Sequence, residues 1–451
     1  MTHSEKLAAF VDRACYETLS EEAVTQLKTR LLDSLGCAFG ALSSQTMRSL
    51  HEHTVEFSGH GPCTLVGGGS TTPDRAAFYN GALVRYLDFN DSFMAAREYA
   101  HPSDNIGAVL AAAQYKQRSG RTFLTAMAIA YQVQLRLAEV APVLARGFDH
   151  TVQGSYAIAC GVSKALGLTP QQTANAIGMA GTSFNSLRVT RTGTLSNWKG
   201  LAYANTAFGC THAALLAMRD ITGPIEVFEG NKGFMETISG PFEIDWSAEN
   251  LESVLRTSIK RYNGTIDSQS SIDAMLKMRR MYAIDPTRVQ RIDVDIFKLA
   301  YDVIGGGEEG DKYIVETKEQ ADHSLRYMIA CACIDAQMMP EQYTPERIHR
   351  SDVQALLKKV QIRPNAEYTR RFPQECAVRI EVTYSDGSRH ALENPYYEGY
   401  FTHPMRWDAV VEKFRKLAAP RLSTARCDQI IDSVATLENR RIAELTALLG
   451  D

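Results

Sequence analysis

Apolar residues in the first part of the chain recur at three- and four-residue spacing, the signature of one buried helix face. In EEAVTQLKTRLLDSLGCAFGAL, Val24, Leu27, Leu31 and Leu35 share such a face. Pro73 and Asp74 open a second helical pattern, RAAFYNGALVRYLDF. Three long runs, IGAVLAAAQYKQ, SYAIACGVSKALG and LAYANTAFGCTHAALLAM, are rich in Ala, Gly, Cys and Ser, which lets helices approach closely. Gly167 followed by Thr169-Pro170 reads as one helix ending and the next starting. After about residue 285 the period changes. Ile292, Val294 and Ile296 alternate with Arg291, Asp293 and Asp295, which predicts a strand. CAVRIEVTY alternates likewise, and Asp386-Gly387 then turns the chain into RHALEN, a hairpin. HSLRYMIACACIDA and PERIHRSDVQALLKKV predict helices between these strands, and the segment from MRWDAVVEKFRKLAAP onward is helical again. The prediction is a mainly α protein: a large all-helical domain (1–265), a smaller α+β domain (266–396), and C-terminal helices (397–451) that return to the helical domain.

Composition narrows what such a chain can do. Its 451 residues carry 48 Lys+Arg against 52 Asp+Glu, a net charge of −4. That balance argues against coating a nucleic acid or a membrane surface and favours small-molecule chemistry. Nine cysteines are scattered without a C-x-x-C, so neither structural zinc nor an iron–sulfur cluster is expected. MTHSEKLAAF lacks the pattern of a secretory signal, and no apolar run is long enough to span a membrane, so a cytoplasmic protein is expected. Several motifs are weak. Gly305 to Gly310 spells G-x-G-x-x-G, but DKYIVET follows and opens no helix, so a loop is expected. His51-Glu52-His53 lacks a third ligand at helical spacing and reads as a solvated helix face. No P-loop or G-x-S-x-G occurs.

The informative feature is a recurring charge at predicted helix starts. Helix N-termini carry unpaired N–H groups and partial positive charge, so they favour acids or bound anions. Here three such starts carry a basic group: His101 in AHPSDNIG, with Ser103 or Asp104 as a cap; His150 in FDHTVQG, with Thr151; and Lys199 in LSNWKG, with Ser196 or Asn197. Arg188 and Arg191 add forked donors in the polar loop before Lys199, although surface salt bridges are an equal reading of both. Asp88 and Asp91 precede His101, and an Asp beside a His can orient the ring. Together these groups suggest an anion site with proton-transfer histidines.

LLDSLGCAFGAL, AAFYNGALVRYLDFNDSF, AHPSDNIGAVLAA, LSNWKGLAYAN and ADHSLRYMIACACIDA resemble the 2-methylcitrate dehydratase (MmgE/PrpD) family over nearly the whole chain. The resemblance implies a homodimer with a site between helical domain and lid, acting on a small polycarboxylate without metal or cofactor. It implies that His101 and His150 transfer protons, that Asp88 orients a histidine, and that Lys199 and Lys260 bind carboxylates. Ser92 and Tyr313 would hydrogen-bond substrate, and Arg188 or Arg191 would add to the clamp. One departure stands out: where the family usually has His before Ser-Gln, this chain has Asp267. An ionised acid repels carboxylates, so Asp267 implies a different substrate group, proton chemistry at a raised pKa, or weakened activity. The expected reaction is dehydration of 2-methylcitrate to 2-methylaconitate. Decarboxylation of cis-aconitate, epimerisation of a diacid of the iminodisuccinate type, and polycarboxylate binding without catalysis are the alternatives.

Overall fold

The computed structural model describes residues 1–57, 59–95, 97–310 and 312–450. The chain is mainly α, with a small mixed sheet in its C-terminal part. The periodic segments form the helices Glu21–Ala41, Pro73–Tyr86, Ile106–Tyr115, Thr151–Leu166 and Trp198–Ala217. Small residues set their spacing. A Cβ on Gly107 would stand 2.5 Å from the backbone nitrogen of Gly81, and one on Gly161 3.0 Å from Val109 and Ala130, so these helices touch nearly backbone to backbone. Gly167 ends its helix at φ +75°, and Thr169 caps the next with a reciprocal bond to Gln172.

The sheet has the order Val360–Pro364, Val289–Ile296, Val378–Tyr384, Arg389–Asn394, with the first pair parallel and the others antiparallel. Ile292, Val294 and Ile296 are fully buried, and Asp386-Gly387 turns the hairpin with Gly387 at φ +84°. The strand Val360–Pro364 corrects the sequence reading. Helix was expected through Lys359-Val360, but the chain forms two short helices, Pro345–Ile348 and Ser351–Leu357, and then enters the sheet. Val360 and Ile362 face the same core as their partners Ile292 and Val294, and that pairing outweighs the helical look of LLKKV.

Buried side chains form two main clusters. One draws on residues from Leu7 to Ile259 and again from Met405 to Leu449; the other runs from Ile266 to Tyr400 and adds Met94. The C-terminal helix Trp407–Ala418 is tied into the first by Lys413. Its ammonium lies 2.7 Å from Asp33 Oδ1 and donates to the carbonyls of Phe89 (2.7 Å) and Lys260 (2.9 Å). Those carbonyls flank the segments that carry Asp88 and the Lys260 side chain, so the last part of the chain helps hold the polar centre around these two residues.

Candidate active site

The helix Pro73–Tyr86 runs out at Leu87, and Asp88 adopts φ +55°, a left-handed conformation that costs a non-glycine residue of order 1 kcal/mol. Surrounding bonds fix it. Asn263 donates to the Leu87 carbonyl at 2.6 Å, Lys260 to the Asp88 carbonyl at 3.0 Å, and Ser92 exchanges backbone bonds with Ser258. The turn delivers the Asp88 carboxylate to three cations: Lys260 at 2.5 Å, Arg85 at 2.8 Å and Lys199 at 3.2 Å. Although burial raises a carboxyl pKa, these charges hold Asp88 well below the ordinary range. Asp88 is therefore spent on cations, which corrects the expectation that it orients a histidine.

Lys199 opens the other side of this network. It lies in the first turn of Trp198–Ala217, and its ammonium stands 2.7 Å from Asp322 Oδ1 and 2.9 Å from His323 Nδ1. Asp88, Asp322 and His323 bring ligand atoms within 4.8 Å of one another, a set of the kind that holds metal ions. Here they converge on the Lys199 ammonium, so that point already carries a positive charge. Lys318 bonds the second Asp322 oxygen at 2.8 Å. Asp322 and His323 were not picked out as site residues from the sequence. The ADHS segment shows no local oddity, because Ser324 caps the helix Leu325–Asp335 in the ordinary way.

The two predicted histidines meet. Their ring centroids are 5.3 Å apart at 70°. His101 Nδ1 lies 3.0 Å from the Asp91 carbonyl and 2.7 Å from Ser92 Oγ. A carbonyl only accepts, so the Nδ1 proton is held there and Nε2 carries the lone pair. The orienting group is thus the Asp91 backbone, while the Asp91 carboxylate accepts from Tyr131 OH at 2.8 Å and Ser103 N at 3.0 Å. His150 Nδ1 lies 3.3 Å from Asp149 Oδ1, its Nε2 is buried with no hydrogen-bond partner, and its ring stacks on Tyr203. Burial lowers both imidazole pKa values, helped by Arg85 and Lys260 at His101 and by Arg191 at His150, which falls to about 3. Both rings are neutral at pH 7.

None of the three predicted caps forms in the way the sequence suggests. Asp104 bonds Asn90 and lies near Arg85 in place of capping Ile106–Tyr115, which starts from a short Pro102–Asn105 turn. Asp149, not Thr151, accepts at the His150 helix start, from Thr151 N at 3.2 Å. Asn197 donates to Glu319. Ser103, Asp104 and Asn197 are taken by longer-range polar partners, and the Thr151 hydroxyl is buried without one.

A cavity of about 50 Å³ joins these elements. His101, His150, Asp88, His323, Arg188, Arg191 and Asp267 reach its lining. Asp267 accepts from Tyr99 OH at 3.0 Å, and burial pushes its carboxyl up to about 7, against the pull of that bond. Arg191 is held by Asp149 at 2.6 Å and donates to the Lys199 carbonyl; Arg188 lies 3.8 Å from Asp149 and pairs with Glu309. Ser92, Lys199 and Lys260 lie behind the lining and are buried. Tyr313 is not among the lining residues; it is partly exposed with its ring against the Arg326 guanidinium, 3.7 Å away. The glycine-rich loop is no dinucleotide turn and instead carries Glu309 to Arg188.

Two family models cover most of the chain: the MmgE/PrpD N-terminal domain over residues 5–247 and the MmgE/PrpD C-terminal domain over residues 262–439. The chain belongs to the MmgE/PrpD family. Among curated relatives, it is 26% identical to a 2-methylcitrate dehydratase of Salmonella typhimurium, an alignment covering 95% of this chain and 92% of the relative. It is 25% identical to the 2-methylcitrate dehydratase of Escherichia coli, with the same coverage. It is also 23% identical to the cis-aconitate decarboxylase of Mus musculus, over 97% of this chain and 91% of that protein. The family is that of enzymes, and these identities leave the individual reaction to the chemistry of the site. Among the described residues, no helix is long and apolar enough to cross a membrane.

Proposed function

We propose that this protein is a hydro-lyase that removes water from 2-methylcitrate to give 2-methylaconitate by acid/base elimination without a cofactor. The observation that carries the reading is the pair of neutral histidines, His101 held at Nδ1 by the Asp91 carbonyl and His150 beside Asp149, facing a cavity bordered by Arg85, Arg188 and Arg191. A base must take a proton from carbon beside a carboxylate, and an acid must protonate the departing hydroxyl. The lone pair on His101 Nε2 suits the first task. His101 Nε2 carries no proton to give, whereas Asp267 holds one near neutral pH, so Asp267 is the acid in this reading. The C–H electron pair becomes the double bond, the C–O bond breaks, and hydroxide leaves as water with the Asp267 proton. The guanidiniums bind the carboxylates and offset charge building on the one next to the carbanion-like carbon. Asp267 thus makes the departure from the family pattern part of the chemistry, with its pKa set by burial.

This reading also takes the protein as a cytoplasmic homodimer of propionate catabolism, in which residues 266–396 form a lid over the helical body; the two separate hydrophobic clusters support that division. Incubation with 2-methylcitrate, citrate and cis-aconitate, with products read by NMR, tests the reaction. Formation of 2-methylaconitate supports it. Release of carbon dioxide from cis-aconitate without dehydration of 2-methylcitrate overturns it in favour of the decarboxylase reading.

A further inference from the structure

The cavity at the histidines holds about 50 Å³, far below the roughly 300 Å³ at the small end of ligand sites. A second cavity of about 560 Å³ adjoins it, and Tyr99, Arg188 and Val303 line both. The Arg188 side chain therefore stands in the partition. Its guanidinium faces two carboxylates: Nη1 lies 3.8 Å from Asp149, beside His150, and Nη2 pairs with Glu309. The Glu309 contact uses one oxygen, and the other, Oε2, is buried with no hydrogen-bond partner. An unbonded buried acceptor is unfavourable, whereas a ligand carboxylate free to turn can engage a guanidinium through both oxygens.

We propose that Glu309 is an internal stand-in for a substrate carboxylate. It holds Arg188 while the site is empty and gives it up when a polycarboxylate enters through the larger cavity. No covalent bond changes; one ion pair is exchanged for another. Glu309 is thus a specificity-determining residue, since only an anion able to replace it on Arg188 reaches the histidines. Two features favour the exchange. The Glu309 backbone is anchored by Lys312, which donates to its carbonyl at 3.2 Å, so the side chain can turn while the loop stays in place. Glu308, Asp302 and the exposed Arg97 line the same outer cavity; a pair with Arg97 is screened by solvent, whereas Arg188 is largely buried, so Arg188 is the stronger partner and takes Glu309 back after product leaves.

The inference rests on the polycarboxylate reading, and the test separates the two. Titration calorimetry with tricarballylate, a tricarboxylate lacking the leaving hydroxyl, compares the natural protein with Glu309→Gln and Glu309→Ala. If the latch keeps nine molecules in ten closed, its loss tightens binding about tenfold. Combining either change with Arg188→Gln should erase that gain. Equal or weaker binding by both Glu309 variants, with melting temperatures showing them folded, overturns the latch and leaves the polycarboxylate reading standing. If no protein in the set binds tricarballylate, citrate or 2-methylcitrate, that reading falls and the latch falls with it.

Discussion

Replacing Lys199 with Met removes the positive charge at the centre of the polar network while keeping most of the side-chain volume. Lys199 is 3% exposed, and so is the Asp88 side chain; Asp322 is fully buried. Breaking a buried pair by removing one partner costs about 3–5 kcal/mol. The geometry places this case near the lower end. Asp88 keeps Lys260 and Arg85, and Asp322 keeps Lys318 at 2.8 Å, so each acid loses one partner among several. A loss of about 3 kcal/mol is expected, read from denaturant unfolding at pH 8. The sign of its pH dependence is also fixed. Asp88 and Asp322 have depressed pKa values, so their contribution is present above the ordinary carboxyl range and fades as pH falls through the folded-state values. Without Lys199 those values rise toward the ordinary carboxyl range, so the gap between variant and natural protein holds from pH 8 to pH 5 and narrows only as pH falls below about 4. Adding Asp322→Asn should recover part of the loss. A deficit under 1 kcal/mol at pH 8, or one that widens toward pH 5, would refute this electrostatic account.

Asp267→Asn removes a carboxyl raised from its ordinary value to about 7. A raised acid stabilises the fold relative to its ionised form below the unfolded pKa, and that contribution is lost as pH rises through about 7, so the variant should gain roughly 3 kcal/mol on the natural protein between pH 5 and pH 8, measured by unfolding at both. His101→Gln should lower kcat about 10²- to 10⁴-fold with little change in tricarballylate binding, checked by steady-state kinetics and calorimetry. Gly154→Ala would put a Cβ 2.5 Å from the Tyr203 ring, which stacks on His150; a stability loss of about 1–3 kcal/mol and a lower kcat are expected. Lys413→Met leaves buried Asp33 without its partner and frees the carbonyls of Phe89 and Lys260, so a loss of about 3–5 kcal/mol is expected in chemical denaturation.

The helical body was legible because its helices are long and one-sided: Val24, Leu27, Leu31 and Leu35 declare a face without help from the rest of the chain. The strand at Val360–Pro364 was not, since five residues after LLKKV carry too few alternations, and its identity comes from the partner strand Val289–Ile296. His101 and His150 stood out as basic groups at helix starts, and they do meet. The capping residues misled because Asp104 and Asn197 serve partners far along the chain, Arg85 and Glu319. Lys199 and Lys260 were recognised as charged positions, but not that Asp88 and Asp322 would neutralise them, because those contacts span 111 to 172 residues. Asp149, Asp322, His323 and Glu309 left no local signal for the same reason. Each is ordinary in its own segment and acts through a residue brought near only by the fold.

The central claim is a division of labour, with a neutral histidine as base and protonated Asp267 as acid. The pH dependence of kcat/KM for 2-methylcitrate dehydration tests it most directly. The account predicts a rate that falls tenfold per pH unit above about 7, as Asp267 loses its proton, and an Asp267→Asn variant that is much slower and lacks that descending limb. A natural-protein rate that keeps rising through pH 8, or an Asp267→Asn variant with an unchanged profile, would contradict it.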